Sequence, residues 1–81
     1  MMSAMVVEQI EALLRAAFPG AAEVAVIDRT GGDDHFQVRV VSSEFDGLPL
    51  LEQHRRVNEA LATPLADGTI HELRIKTKGS I

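Results

Sequence analysis

The sequence has 81 residues, no cysteine and a formal net charge of -4. The lack of cysteine excludes disulfides and any thiol ligand or nucleophile supplied by this chain. The negative charge argues against a dedicated nucleic-acid-binding protein, because such proteins usually gain affinity from basic surfaces that displace counterions from phosphates. Apolar runs fall far short of the roughly 20 residues that span a bilayer, and no signal-peptide pattern is recognisable. We therefore expect one cytoplasmic domain over residues 1–81.

The first predicted element is an amphipathic helix with Ser3 as its expected N-cap. Its apolar residues recur at three- and four-residue spacing, which is the period of one helix face. They are Val6, Ile10, Leu13, Leu14, Ala17 and Phe18. Pro19 and Gly20 should end this helix, because proline removes a donor and glycine permits a turn.

Two alternating segments follow, residues 22–28 and 35–43, and both are typical of strands. The connector at 29–34 is rich in glycine and aspartate, which favour turns. Two such segments joined by a short turn-forming connector predict a β-hairpin.

A turn at residues 45–47 leads to a second helix that is expected to start near Leu50, just after Pro49. His54 lies on the same helical stripe as the apolar residues Leu50, Val57 and Leu61. We expect this helix to end near Pro64, because the residue before a proline avoids the helical region.

A linker at residues 65–68 then leads to the last predicted strand, residues 69–77. In that strand His71, Leu73 and Ile75 alternate with charged residues. The element order helix, strand, strand, helix, strand predicts an α+β fold in which two helices cover one face of a three-stranded sheet.

Three segments of the sequence resemble BolA-like proteins. They are HFQV at 35–38 with VSSEFDGLPLL at 41–51, QHRRVNEAL at 53–61, and IHELRIKT at 70–77. The loop GDDHF at 32–36 is similar to that of the bacterial IbaG-type branch. This chain lacks the cysteine that another branch carries near Gly32, and it lacks the Thr-Pro-x-x-Trp segment with which many members continue.

The resemblance implies a class II KH-like fold, with a mixed three-stranded sheet and helices on one face. It also implies a non-enzymatic adaptor, a monomer when alone, that forms a heterodimer with a monothiol glutaredoxin, either without a cofactor or around a shared [2Fe–2S] cluster. In such pairs the glutaredoxin cysteine and glutathione bind one side of the cluster. The residue matching His71 and a second ligand from the hairpin loop bind the other side. The implied roles are iron–sulfur cluster assembly or trafficking and iron or stress regulation.

His71 is the leading candidate metal ligand. A neutral imidazole suits iron, and histidine replaces cysteine at one iron of Rieske clusters. His71 is predicted near the start of the last strand, where a partner can reach it. Alternation places it on the core face with Leu73 and Ile75, so the competing interpretation is a half-buried histidine bonded to a backbone carbonyl.

His35 is the second candidate, because it opens the second strand. If the last strand runs parallel to the second, both strands start at one sheet edge, about 4.8 Å apart, and His35 and His71 could share a metal. Alternation instead puts His35 on the face opposite the core, and a solvated turn histidine is the competing interpretation.

The remaining candidates are less specific. His54 lies on the apolar helix stripe, which favours a packing role at the edge of the core. Arg55, Arg56, Lys76 and Lys78 form a candidate surface for an acidic partner or for glutathione carboxylates, and an ordinary charged surface is the alternative.

No arrangement of residues indicates an enzyme. The alternative function is a KH-like nucleic-acid-binding transcriptional regulator, but the GXXG loop that grips RNA in KH domains is not supplied by GLPL at 47–50. A protein-binding scaffold without a cluster is a third possibility.

Overall fold

The computed structural model describes residues 2–29 and 35–80, with side chains from residue 6 onward. Its elements, in chain order, are α1 (Met2–Ala17), β1 (Glu23–Asp28), β2 (His35–Val41), a 3-10 turn (Ser43–Phe45), α2 (Leu50–Ala60), α3 (Ala62–Ala66) and β3 (Glu72–Lys78). Within the described ranges, no helix is long and apolar enough to cross a membrane.

The three strands form one sheet in the order β1-β2-β3. β1 and β2 are antiparallel, as expected for a hairpin, whereas β2 and β3 are parallel and are joined through α2 and α3. The prediction of an α+β fold with a three-stranded mixed sheet is therefore confirmed, while its class II KH-like description stays a prediction.

The core lies between the helices and one face of the sheet. α1 and α2 contribute aliphatic residues, and the central strand β2 contributes every second side chain, as the pleat of a strand requires. The buried apolar residues are Ile10, Leu14, Phe18, Val24, Phe36, Val38, Val40, Phe45, Val57, Leu61 and Ile70. The rings of Phe18 and Phe45 meet edge to face, with centroids 5.2 Å apart. The opposite sheet face is left without a covering helix in the described part of the chain.

Gln53 ties α2 to two other parts of the fold. Its amide nitrogen donates to the Leu48 carbonyl (2.8 Å), and its amide oxygen accepts from the Thr77 hydroxyl (2.5 Å). Both contacts are partly buried, so the side chain fixes the start of α2 against the end of β3.

A second contact closes the end of the described chain. The Asp46 carboxylate accepts hydrogen bonds from the Ser80 backbone N–H (2.7 Å) and hydroxyl (2.6 Å). A side chain on the intervening Gly79 would overlap Asp46 Oδ1. Gly79 is therefore required for this contact between the tail and the turn after β2.

Several sequence-based boundaries were wrong, including the start of the last strand, which lies at Glu72 and not at residue 69. α1 already begins at Met2, so Ser3 lies inside the helix and is not its N-cap. β2 ends at Val41, and the buried Ser42 accepts from the Glu44 N–H to cap the 3-10 turn.

The helical region also extends past the predicted stop at Pro64, because this proline lies in the first turn of α3. A proline there has no intrahelical acceptor to lose, so its missing N–H costs nothing. The segment expected to be a linker from residue 65 onward is thus partly helical.

Candidate functional site

A short turned segment between α3 and β3 presents His71. Asp67 accepts from the Thr69 backbone N–H (2.9 Å) and hydroxyl (2.6 Å), and Gly68 adopts a left-handed φ of 84°. The next residue, Ile70, is buried, and its N–H donates to the Pro64 carbonyl (3.1 Å). This anchor fixes the backbone directly before His71.

His71 itself is exposed and lies in a bend one residue before β3 begins. The competing interpretation of a half-buried histidine is therefore wrong, and the pleat that His71 was expected to share with Leu73 and Ile75 starts only at Glu72. The imidazole of His71 is accessible to a second protein.

The hydrogen bonds at Asp67 also set its charge state. The hydrogen bond from the Thr69 hydroxyl has the largest effect on the Asp67 carboxyl, followed by that from the Thr69 backbone N–H. Both lower the pKa of the carboxyl below its usual value, and desolvation opposes them. The carboxylate that organises the turn before His71 is accordingly ionised at neutral pH.

His35 opens β2 and lies on the sheet face away from the core. Its Cα partner across the parallel ladder is Glu72, the first residue of β3, and His35 Nδ1 lies 3.2 Å from Glu72 Oε2. Both side chains are partly exposed, at 38% and 49%. In the neutral tautomer with the proton on Nδ1, the Nδ1–H group donates a hydrogen bond to this carboxylate and Nε2 keeps a free lone pair.

The parallel pairing places the two strand starts side by side, as the sequence argument required. His71 immediately precedes the residue that pairs with His35. A metal site shared by the two histidines stays a prediction. Residues 30–34, which include the expected hairpin-loop ligand position, lie outside the described residues. Residues 2–29 and 35–80 contain no group of three or more His, Asp or Glu side chains placed to hold a metal.

The other candidate residues on α2 lie on the helical side of the sheet. His54 is half-buried, as expected for a histidine at the edge of the core. Arg55 and Arg56 are exposed, and both approach Glu52, at 3.6 Å and 3.5 Å. These two arginines are therefore partly neutralised by their own helix.

Lys76 and Lys78 do not join the α2 arginines in one surface. The Thr77 side chain faces α2 and bonds to Gln53, so its neighbours on β3 face the opposite, uncovered side of the sheet. There Arg39 and Arg74 accompany the lysines, and sequence reasoning did not include either of them. Strand alternation combined with the parallel register would have grouped these four cations.

The chain matches the BolA-like protein family over residues 14–80. It belongs to that family. Among BolA-like relatives, Protein BOLA2 of Arabidopsis thaliana is 44% identical over 70 residues, which cover 85% of this chain and 72% of the relative. These comparisons identify the BolA-like family and do not distinguish the IbaG-type branch within it.

Solved BolA-like structures share the fold. BolA1 from Arabidopsis thaliana superposes with a TM-score of 0.84 at 26% identity, covering 93% of this chain and 92% of that one. The BolA domain of SufE1 from the same plant gives a TM-score of 0.82 at 29% identity, covering 91% of each chain. The match spans 42% of a Dictyostelium discoideum relative and 57% of a mouse relative, but 88% of a Rickettsia prowazekii relative.

Proposed function

We propose that this BolA-like chain is a non-enzymatic adaptor that pairs with a monothiol glutaredoxin and supplies His71 as an iron ligand to a bridging [2Fe–2S] cluster. The observation that carries the proposal is the position of His71. Its imidazole is exposed at the start of an edge strand, on a backbone segment fixed by buried Ile70 and by the Asp67 turn. A partner protein can therefore approach this ring without unfolding the sheet.

The donor set of the chain fits one side of such a cluster. A [2Fe–2S] cluster takes four ligands, which are thiolates or, at one iron, imidazoles. This chain has no cysteine and three histidines, so it can offer imidazole nitrogen while thiolates come from the glutaredoxin cysteine and glutathione. Histidine ligation at one iron raises the reduction potential of a cluster relative to all-thiolate ligation.

His35 is the proposed second ligand. Metal-bound histidines almost always donate their other ring N–H to a carboxylate, a carbonyl or a water, which fixes the tautomer and the ring orientation. The 3.2 Å contact between His35 Nδ1 and Glu72 supports such an arrangement, with Nε2 as the ligating atom. The carboxylate would hold the ring in place and fix its tautomer.

The test is anaerobic co-expression with the host's monothiol glutaredoxin, followed by absorption and circular dichroism of the purified complex. We expect a coloured heterodimer whose spectrum differs from that of the glutaredoxin homodimer. His71→Ala should change the heterodimer spectrum, because one imidazole ligand is lost. His54→Ala is the matched control, because it also removes one imidazole but from the half-buried face of α2.

Three other results would each count against the proposal. An unchanged spectrum in His71→Ala removes this residue as a ligand. A heterodimer that stays colourless under all loading conditions favours the scaffold without a cluster. Tight, salt-steep binding of an oligonucleotide in a filter assay at two salt concentrations would favour a nucleic-acid-binding regulator instead.

A further inference from the structure

The uncovered face of the sheet carries a cluster of cations, which we call the basic face. It consists of Arg39 on β2 and of Arg74, Lys76 and Lys78 on β3. All four are exposed, and they are four of the eight lysine and arginine residues in a chain of net charge -4. Half of the positive charge is thus concentrated on one side of the sheet.

The register brings these cations close to one another. Arg39 pairs across the parallel ladder with Lys76, and Arg74 and Lys78 lie two residues away along β3, about 6.6 Å on either side. Arg39 also contacts Glu23 at 3.1 Å. Among the residues that the structure describes, the other three cations have no carboxylate within ion-pair distance. Like charges on neighbouring strands destabilise a sheet, and carboxylates from a partner would relieve this repulsion.

The basic face borders an unpaired strand edge. β3 pairs with β2 on one side, and no described strand pairs with its other side. A row of backbone donors and acceptors along Glu72–Lys78 is therefore available to an added strand. Every second side chain of such a strand would lie next to Arg74, Lys76 and Lys78.

We propose that the free edge of β3 and the basic face together bind an extended acidic segment of a partner protein, with Asp or Glu at every second position. A single-stranded nucleic acid fits less well, because sequence-tolerant binding of bases relies on exposed aromatic rings. The chain has no Trp or Tyr, and its three phenylalanines are buried.

This surface begins at Glu72, beside the proposed cluster site, and extends away from that site along β3. Lys78 lies six residues along β3 from its first residue, Glu72, or about 20 Å. The proposal therefore needs neither glutaredoxin nor a cluster, and it can be tested on the chain alone.

The experiment is a titration of the ¹⁵N-labelled chain with a synthetic peptide of alternating Glu and Thr, followed by backbone amide shifts. The control peptide has the same composition with its Glu residues grouped at one end. We expect shifts concentrated on β3, weaker binding of the grouped peptide, and loss of affinity between about 20 mM and about 200 mM salt.

Two charge-reversal variants locate the binding. Lys76→Glu should weaken it about tenfold, because a repulsion replaces an attraction. Arg15→Glu makes the same charge change at an exposed position of α1, outside every candidate site, and should leave the affinity within about twofold. Lys78→Gln is a milder second variant if the spectrum of Lys76→Glu shows disturbed folding.

Three results would overturn the proposal. One is the absence of binding at low salt, which would assign the lysines of β3 to protecting an edge strand from aggregation. Another is equal weakening of peptide binding by the Lys76 and Arg15 variants, which would indicate non-specific charge attraction. The third is tighter binding of a single-stranded oligonucleotide on the same amides, which would assign the face to nucleic acid.

Discussion

The side chain of Gln53 gives the sharpest stability prediction. It accepts from the Thr77 hydroxyl and donates to the Leu48 carbonyl, and both contacts are partly buried. A typical intramolecular hydrogen bond contributes about 0.5–1.5 kcal/mol, so Gln53→Ala should lower the free energy of unfolding by about 2 kcal/mol. For a domain of this size that corresponds to a fall in Tm of about 10 °C.

A double-mutant cycle isolates the contact between Gln53 and Thr77. Thr77→Val keeps the shape of the side chain but removes one bond, and it should cost about 1 kcal/mol. The double variant should cost about 1 kcal/mol less than the sum of the single variants, because their shared bond can be lost only once.

The assay is urea unfolding followed by circular dichroism, with Asn58→Ala as a control for an exposed residue on the same helix. The control should stay within about 0.5 kcal/mol of the parent. Two results would refute the assignment of this bond. One is a double variant whose loss of unfolding free energy equals the sum of the losses in Gln53→Ala and Thr77→Val. The other is a Gln53→Ala variant as stable as the control.

Two further predictions concern the turns at either end of β3. The pKa of the Asp67 carboxyl should lie below that of an aspartate in an unfolded peptide. The hydrogen bonds of its turn are therefore fully present above the unfolded pKa and are lost as the pH falls through the lowered pKa. Thr69→Val should raise the pKa of Asp67 in an NMR titration, and an unchanged pKa would contradict the stated cause. Gly79→Ala should break the contact of Ser80 with Asp46 and speed hydrogen exchange of the Ser80 amide. Gly20→Ala is the control, because open space surrounds Gly20, and it should leave this exchange rate unchanged. Equally slow exchange in both variants would contradict the overlap between a side chain at residue 79 and Asp46.

Periodicity predicted the core well, because helix and strand faces are local properties of the sequence. Alternation in residues 35–41 identified Phe36, Val38 and Val40 as core residues, and all three are fully buried. The parallel relation of β2 and β3 entered the sequence argument as a condition. The structure meets it, and this places Glu72 beside His35.

The errors lie at the ends of helices and strands, where the periodicity of an element stops. Strand alternation was extended to His71, but the Asp67 turn and buried Ile70 precede a bend at this residue, and the pleat of β3 starts only at Glu72. The rule that proline stops a helix failed at Pro64, because a new helix begins there and tolerates proline in its first turn.

The charged surfaces could not be predicted from the sequence alone. Arg55 and Arg56 were grouped with Lys76 and Lys78 by sign of charge, but the fold puts the two pairs on opposite sides of the sheet. That separation depends on which face of β3 meets α2, and the bond from Thr77 to Gln53 shows that face. Long-range packing of this kind is not encoded in any single segment.

The most direct test of the central claim is pulsed electron paramagnetic resonance on the reduced cluster of the purified heterodimer, with ¹⁵N-histidine incorporated into this chain only. The account predicts nitrogen hyperfine couplings from directly bound imidazoles, unchanged in His54→Ala and reduced in His71→Ala to the coupling from His35 alone. A cluster whose spectrum shows sulfur ligation alone, or a nitrogen coupling that survives His71→Ala unchanged, would contradict it.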